Sequence, residues 1–452
     1  MYKEGFVMQY IKKTTPCGEI KGIDGERCLE FRGIRYARAM RYEKPVEVTH
    51  WEGEYDATHF GACCYQHRAF EDDAVVNPFY HKEFRAGLEF TYSEDCQFLN
   101  IWAPKDAENC PVLVFIHGGS FTGGSADEGH IKGERFAEKG IIMVAMNYRL
   151  GPFGFCAHKD LKDESGALAN FGLYDQTVAF EWVLHNIAAF GGDPENITLM
   201  GQSAGAMSVD IHLNNPRLKG KFKRAIMLSG SGLQRCLLKP LSIQKITPFW
   251  DKVMAYADAS SIAELRAIRP QKLYYAWKKA CAGNPLTMPY TFPVYDEKIL
   301  SRETFRLSAI PDMPYIIGST CTDMFPIVLE GVDKKWGAFA QKNNTKPCYF
   351  FNFNRELPGD NMGAWHAADL LYVFSTLDFN WRPFEEIDYI ISEQISDAFV
   401  AFAENDNPNG AAIPNWEADY RVPMSFDEHS APAKWKTKEN LNVTFNGKGK
   451  TI

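Results

Sequence analysis

Short apolar runs recur through the middle of the chain, and each ends at a glycine or a polar residue. Residues 112–116 form one such run, which ends at His117-Gly118-Gly119, and residues 141–146 form another. Continuous apolar runs of this length are typical of strands that are buried on both faces of a parallel sheet. The same pattern predicts further strands at 197–200, 225–228, 315–317 and 348–351.

Between these runs the apolar period changes to that of a helix. Residues 175–190 carry apolar side chains at helical spacing, and a Gly-Gly-Asp-Pro sequence ends the pattern. Residues 204–213 predict a second helix. Strands that alternate with helices form right-handed βαβ units. The sequence therefore predicts an α/β fold with a central, mostly parallel, twisted sheet that is flanked by helices.

Two segments depart from this alternation. Residues 19–23 and 27–31 flank Asp24-Gly25, a turn dipeptide that predicts an N-terminal antiparallel β hairpin. Residues 233–309 are rich in helical pattern and aromatic side chains. They are either a helical cap inserted over one end of the sheet or a peripheral part of the core. We predict one α/β domain over residues 1–452, with the cap as its insertion.

A candidate nucleophile lies between a predicted strand and a predicted helix. Residues 201–205 read Gly-Gln-Ser-Ala-Gly, a GxSxG sequence that is similar to the nucleophile turn of α/β hydrolases. Glycines at both ends of such a sharp turn avoid side-chain collisions, and the serine is lifted to the start of the helix. The helix N-terminus favours negative charge that develops there. We therefore expect Ser203 to be a catalytic nucleophile.

Attack on an ester carbonyl creates an oxyanion, which needs hydrogen-bond donors already in place. The N–H group of Ala204, directly after the serine, is one expected donor. The sequence His-Gly-Gly-Ser-Phe-Thr-Gly-Gly from residue 117 onward resembles the glycine-rich oxyanion loop of esterases. We assign Gly118 and Gly119 as the other donors and expect Phe121 to contact the substrate.

Chain order selects the base. In α/β hydrolases the acid and then the histidine follow the serine, and the histidines after Ser203 are His212, His366 and His429. His212 comes too early to follow an acid, and His429 lies among polar residues close to the C-terminus. His366 follows the strand predicted at 348–351, where a loop would present it to the serine. His366 is therefore the expected base.

Position alone leaves the acid open. Asp323 follows the strand predicted at 315–317 by a short loop and is the best placed candidate. Glu330 lies further from the strand end, Asp312 precedes the strand, and Asp296 is a third rival.

Composition adds limits on partners and location. The chain has 452 residues, 45% of them hydrophobic, and a formal net charge of −8, which argues against nucleic acid or an anionic membrane as a partner. The N-terminus shows no signal-peptide pattern, and no apolar run is long enough to span a bilayer. The 11 cysteines are scattered without a CxxC pair, which fits reduced thiols. We expect a cytoplasmic protein without a metal site; the oligomeric state is not predicted.

Several segments together resemble the type-B carboxylesterase family, which includes cholinesterases and bacterial carboxylesterases. The likeness covers nearly the whole chain and lies in four segments. They are Phe-Arg-Gly-Ile-Arg-Tyr-Ala (31–37), Ser-Glu-Asp-Cys-Gln-Phe-Leu-Asn-Ile-Trp (93–102), Asn-Phe-Gly-Leu-Tyr-Asp-Gln (170–176) and Phe-Gly-Gly-Asp-Pro (190–194).

The resemblance implies specific roles for residues. It carries the nucleophile to Ser203 and the base to His366, and it places Asp323 where the family has the glutamate of its triad. Gln202 stands where many members have glutamate. In secreted members two early cysteines pair, and Cys64 and Cys96 stand at the matching positions.

The implied activity is ester hydrolysis through an acyl-enzyme, without a cofactor. The aromatic side chains of residues 233–309 favour small to medium uncharged esters as substrates. An amidase, a thioesterase or a lipase would use the same triad, so these remain alternatives. A non-enzymatic, neuroligin-like adhesion or scaffold protein is a further alternative. The presence of Ser203, His366 and a carboxylate argues against it.

Overall fold

One large sheet runs through the described part of the molecule. The computed structural model describes residues 9–161, 166–282, 290–410 and 412–438. The strands of this sheet are β1 (Gln9–Thr15), β2 (Gly18–Asp24), β3 (Leu29–Arg35), β4 (Glu54–Asp56), β5 (Phe98–Ala103), β6 (Cys110–Ile116), β7 (Ile142–Met146), β8 (Gly192–Gln202), β9 (Arg224–Leu228), β10 (Tyr315–Thr320), β11 (Cys348–Phe353), β12 (Met424–Phe426) and β13 (Ala431–Pro432).

The sheet has a parallel centre and an antiparallel N-terminal edge. Its strands lie in the order β1-β2-β3-β5-β7-β6-β8-β9-β10-β11-β12-β13, with β4 beside β2. Neighbouring strands from β7 to β12 are parallel, and those from β1 to β7 are antiparallel. β2 and β3 form the predicted hairpin, whose turn closes through a hydrogen bond from Gly25 N–H to Cys28 O (3.0 Å). The predicted α/β class is confirmed.

Helices cover both faces of the sheet. The longer ones are α1 (Phe171–Asn186), α2 (Ala204–His212), α3 (Ile243–Tyr256), α4 (Pro270–Cys281), α5 (Pro326–Asn343) and α6 (Glu386–Asn405). Shorter helical segments are His67–Ala69, Asp73–Val76, Pro78–Tyr80, His81–Arg85, Glu134–Glu138, Gly151–Gly154, Ile187–Phe190, Leu233–Cys236, Ile262–Ala267, Leu307–Ala309, Asp369–Val373 and Leu377–Phe379. In the described residues, no helix is long and apolar enough to span a membrane.

The continuous apolar runs are explained by burial on both faces. Along β6, Val112 and Val114 belong to one hydrophobic core and Leu113 and Phe115 to the other. Because successive side chains of a strand point to opposite faces, a strand between two layers of helices needs apolar residues at every position. The first core contains side chains of α1, and the second contains side chains of α6.

α1 begins four residues before the predicted helix. The cause is a tertiary contact: the Asn170 side chain donates to Val294 O (2.7 Å) and accepts from Val294 N–H (2.9 Å). This contact fixes Asn170, the residue before the helix. The apolar periodicity within the helix does not reveal it. At the other end, Gly191 adopts a φ of 92°, which stops the chain as predicted.

The segment predicted as a cap is helical where it is described. α3 and α4 pack against each other, and side chains of both, Trp250 and Leu273 among them, join the same core as α1. Residues 283–289 lie outside the described residues. The division into a catalytic domain and a cap remains a prediction.

Candidate active site

Ser203 occupies a strained turn between β8 and α2. Its φ and ψ are 55° and −122°, a combination that costs energy for a residue with a side chain. The neighbouring strand holds the turn, because Ser203 N–H donates to Leu228 O at 2.8 Å. The strain is thus maintained by the sheet, and the serine remains partly exposed at the start of a helix.

The two glycines of the motif are required by close approaches of the backbone. A Cβ atom at Gly205 would lie 1.9 Å from the Ile116 carbonyl oxygen, and one at Gly201 would lie 2.4 Å from Gly205 itself. Both distances are far below any real contact. Glycine at 205 therefore lets the turn pack against β6, and glycine at 201 lets the turn close on itself.

The glycine-rich loop after β6 passes directly beside the serine. A Cβ atom at Gly118 would lie 3.0 Å from Ser203 Cβ, and Gly119 adopts a φ of 110°. Among the described residues, no acceptor takes a hydrogen bond from the N–H groups of Gly118 or Gly119. The N–H of Ala204 belongs to the first turn of α2, where such groups lack helical partners. Gly118 thus lies beside the serine, and the N–H groups of Gly118 and Gly119 have no hydrogen-bond acceptor among the described residues.

Side chains from distant parts of the sequence fix this loop. Gln66 accepts from Gly124 N–H and donates to Gly124 O, both at 3.0 Å. Tyr148 donates to His117 O at 2.9 Å, and the His117 ring stacks on the Tyr148 ring. Burial lowers the pKa of His117 to about 4. The ring is therefore neutral at pH 7, and its contacts with Tyr148 stabilise the loop.

His366 and Asp323 come together from the ends of two adjacent strands. Asp323 follows β10, and His366 lies in the loop after β11. His366 Nδ1–H donates to Asp323 Oδ1 at 2.6 Å. Thr320 Oγ1 donates to the other carboxylate oxygen (2.9 Å), and Met324 N–H donates to Oδ1 (2.7 Å). The carboxylate is therefore held in place from three sides.

This contact changes the proton affinity of both groups. Burial alone would lower the pKa of His366, but the Asp323 carboxylate outweighs it and raises that pKa above its usual value. Burial raises the pKa of Asp323, whereas the charge and hydrogen bond of His366 lower it, and the net direction is down. The pair therefore favours a charged carboxylate that orients the ring.

The other ring nitrogen of His366 contacts Gln202 rather than the serine. Gln202 Nε2 lies 3.3 Å from His366 Nε2, and in the described structure no hydrogen bond joins Ser203 Oγ to the ring. Contacts between nucleophile and base are often loose without substrate and tighten when it binds. The structure thus brings the predicted residues to one place and leaves this one contact open.

Comparison with known proteins decides the family. The sequence profile described as Carboxylesterase family matches residues 10–338 and 321–442. This chain belongs to the carboxylesterase family. It is a carboxylic ester hydrolase of type B, as the resemblance of its motifs implied.

Relatives of this carboxylesterase match between about half and nine tenths of its length. It is similar to the para-nitrobenzyl esterase of Bacillus subtilis (strain 168), with 32% identity in an alignment of 471 positions that covers 90% of this chain and 92% of that protein. The bile salt-activated lipase of Mus musculus is 37% identical over 267 residues, which cover 56% of this chain and 39% of the lipase. A solved structure of PNB esterase superposes with a TM-score of 0.82 at 26% identity, over 94% of this chain and 97% of that one.

The rival residues of the carboxylesterase have structural partners elsewhere. His212 is buried and bonded through Nε2 to Gln176 Oε1 (2.9 Å), and His429 is exposed. Glu330 bonds to Lys334, Asp312 accepts from Thr345 N–H, and Asp296 accepts from backbone N–H groups of its own loop.

Sequence reasoning did not find several residues that shape the site. Tyr80 donates to the main-chain oxygen of His366 at 3.2 Å, and its ring packs against the edge of Trp365. Gln66 holds the oxyanion loop, and Thr320 holds Asp323. Tyr80 and Gln66 act through contacts between distant segments, which leave no local pattern in the sequence, whereas Thr320 acts on a residue only three positions along the chain.

The ring of Phe121 is buried, whereas a residue that lines an open cleft would be exposed. Its ring is fully buried and makes edge contacts with Phe155 (5.0 Å) and Phe292 (5.5 Å). Its carbonyl accepts from Gly151 N–H at 2.7 Å. The residue anchors the loop in an aromatic cluster, and its contact with substrate stays a prediction.

Two further acids are buried around Asp323. Burial raises the pKa of Asp369 to about 7 and that of Asp333 to about 8, and the charge of Asp323 adds to both. Ser231 donates to Asp333 Oδ1 at 2.5 Å. Within the described ranges, no group of three or more histidine, cysteine or acidic side chains is arranged to hold a metal ion.

Proposed function

We propose that this carboxylesterase cleaves esters through Ser203 as nucleophile, His366 as general base and acid, and Asp323 as the group that orients the histidine. The observation that carries the proposal is the 2.6 Å bond between His366 and Asp323 beside a strained, accessible serine. A serine hydroxyl at its ordinary pKa is a weak nucleophile and needs such a base.

The proposed reaction has two stages, acylation of Ser203 and hydrolysis of the acyl-enzyme. His366 Nε2 takes the proton of Ser203 Oγ while Oγ bonds to the ester carbon. The carbonyl oxygen becomes an oxyanion, which accepts hydrogen bonds from the N–H groups of Gly118, Gly119 and Ala204. His366 then gives its proton to the alkoxide as the carbon–oxygen bond breaks. A water molecule, deprotonated by His366, cleaves the acyl-enzyme and restores the serine.

We further propose that the substrates are small to medium uncharged esters. Aromatic side chains of α4 support this, because they lie on the side of the oxyanion loop. The Trp277 ring would lie 4.0 Å from a Cβ atom at Gly151, and Gly151 N–H donates to Phe121 O. Tyr274 packs against Phe70 with ring centroids 5.1 Å apart. Aromatic side chains close to a binding site suit apolar ligands of moderate size.

A series of p-nitrophenyl esters tests the substrate range. We expect high kcat/KM for acetate to hexanoate, because each methylene that fits adds about 1 kcal/mol of binding, and poor cleavage of chains of about twelve carbons or more. A steady rise out to palmitate, with activation at an emulsion surface, would instead indicate a lipase.

Matched esters, amides and thioesters of one acyl group test the reaction class. We expect the ester to be the best substrate and Ser203→Ala to abolish its cleavage. Faster turnover of the amide or the thioester would assign the enzyme to one of those classes. Ester hydrolysis that persists in Ser203→Ala would contradict the proposed nucleophile.

A further inference from the structure

Gln202 touches the atom of the base that must accept the proton. It is the last residue of β8, it is 3% exposed, and its side-chain nitrogen lies 3.3 Å from His366 Nε2. Since His366 Nδ1–H is donated to Asp323, Nε2 of the neutral ring is an acceptor. The amide of Gln202 therefore donates to the lone pair that later takes the serine proton.

The same amide also lies against the oxyanion loop. A Cβ atom at Gly118 would be 2.6 Å from Gln202 Oε1, so the loop passes directly over the side chain. The amide thus lies between the base and the proposed oxyanion donors. A negative charge at this point would oppose the charge that develops on the substrate oxygen.

An amide can serve both protonation states of the ring. Its NH₂ group donates to neutral His366, and after a half-turn its oxygen accepts from the imidazolium. A carboxylate could only accept, and it would favour the charged ring. The titratable groups that face His366 are Asp323 on Nδ1, Asp369 in the helix that follows, and Tyr80 at the main-chain oxygen. Within the described residues, the Nε2 side is thus contacted by an uncharged group.

We propose that Gln202 is a second partner of the catalytic base, whose uncharged amide lets His366 act as a base at a lower pH than a carboxylate at this position would allow. This inference rests on the proposed role of His366. When substrate binds, the hydrogen bond from Gln202 to His366 Nε2 is replaced by one from Ser203. The Gln202 amide stays close enough to stabilise the imidazolium during the reaction.

Gln202→Glu tests the role of charge with little change of shape. The acid limb of kcat/KM for an uncharged ester, followed by pH-stat, should move up by about one pH unit or more. Gln176→Glu is the matched control, because Gln176 is another buried glutamine bonded to a histidine, His212, and has no hydrogen bond to His366. Its acid limb should match that of wild type. An unchanged acid limb in folded, active Gln202→Glu would overturn the proposal.

An NMR titration of the wild type tests the contact without turnover, and a variant is needed only to assign the signal. The side-chain NH₂ signal of ¹⁵N-glutamine-labelled protein that disappears in Gln202→Met should titrate with the same midpoint as the His366 ring. A signal that does not change with pH would overturn the proposal. Loss of the kinetic acid limb in wild type, with this titration intact, would instead count against the proposed function.

Discussion

Asp323 reaches His366 although its side chain is one methylene shorter than the glutamate expected from the family's motif. The end of β10 places the shorter side chain within reach of the ring. Thr320 Oγ1 and Met324 N–H hold the two carboxylate oxygens, and Oδ1 lies 2.6 Å from the ring. The position of a carboxylate relative to the backbone, rather than its length, therefore determines whether it can orient a histidine.

Asp323→Asn should lower kcat by about 10⁴-fold, because the amide cannot hold the ring in the required tautomer. Since the carboxylate raises the pKa of His366, wild-type activity should rise with pH around a midpoint above about 6.5. In Asp323→Asn the midpoint should fall. pH-stat profiles of both proteins measure this.

Glu330→Gln is the control for the acid. Glu330 bonds to Lys334 and Thr437, so its loss should leave kcat and the midpoint close to those of wild type. An inactive Glu330→Gln beside a fully active Asp323→Asn would mean that the acid is misassigned.

At the scale of elements, the turn between β8 and α2 stores strain that the sheet maintains. Gly205→Ala should abolish activity and lower the free energy of unfolding by at least about 2 kcal/mol, because the new Cβ would lie 1.9 Å from Ile116 O. Urea titration and an ester assay measure both effects.

Gly331→Ala is the matched control for this substitution. Gly331 is exposed within α5, and a Cβ atom added there would have no neighbour within 4 Å. The variant should keep full activity and gain about 0.5–1 kcal/mol, as expected for alanine in a helix. Equal losses in both variants would show that the close approach at Gly205 is not what matters.

The elements themselves were predictable where the signal is periodic or local. The central strands follow from apolar runs, the hairpin from Asp24-Gly25, and the serine turn from its glycines. The start of α1 was not predictable, because Asn170, the residue before it, is held by a hydrogen bond to Val294. The contacts of Gln66, Tyr80 and Gln202 were not predictable either, since each joins segments far apart in the sequence.

At the scale of the whole molecule, two hydrophobic cores enclose the sheet and bury most of the cysteines. Cys64 and Cys96 are both fully buried and free. Burial raises the pKa of the Cys96 thiol well above its usual value, and the Cys64 thiol beside it adds to the effect. The two positions that pair in secreted relatives are thus neighbours here without a disulfide.

Both thiols should be free in protein that is purified without an oxidant. Alkylation after denaturation, with and without prior reduction, should count the same 11 cysteines in both samples. Two fewer thiols in the unreduced sample, with a peptide linking residues 64 and 96, would contradict this expectation.

The central claim is that Ser203 is the nucleophile of this carboxylesterase. A fluorophosphonate probe reacts only with a serine that a neighbouring base activates, and mass spectrometry locates the label. We predict stoichiometric labelling at Ser203 in the wild type, none in Ser203→Ala and strongly reduced labelling in His366→Ala. A label on any other serine, or undiminished labelling of Ser203→Ala, would contradict it.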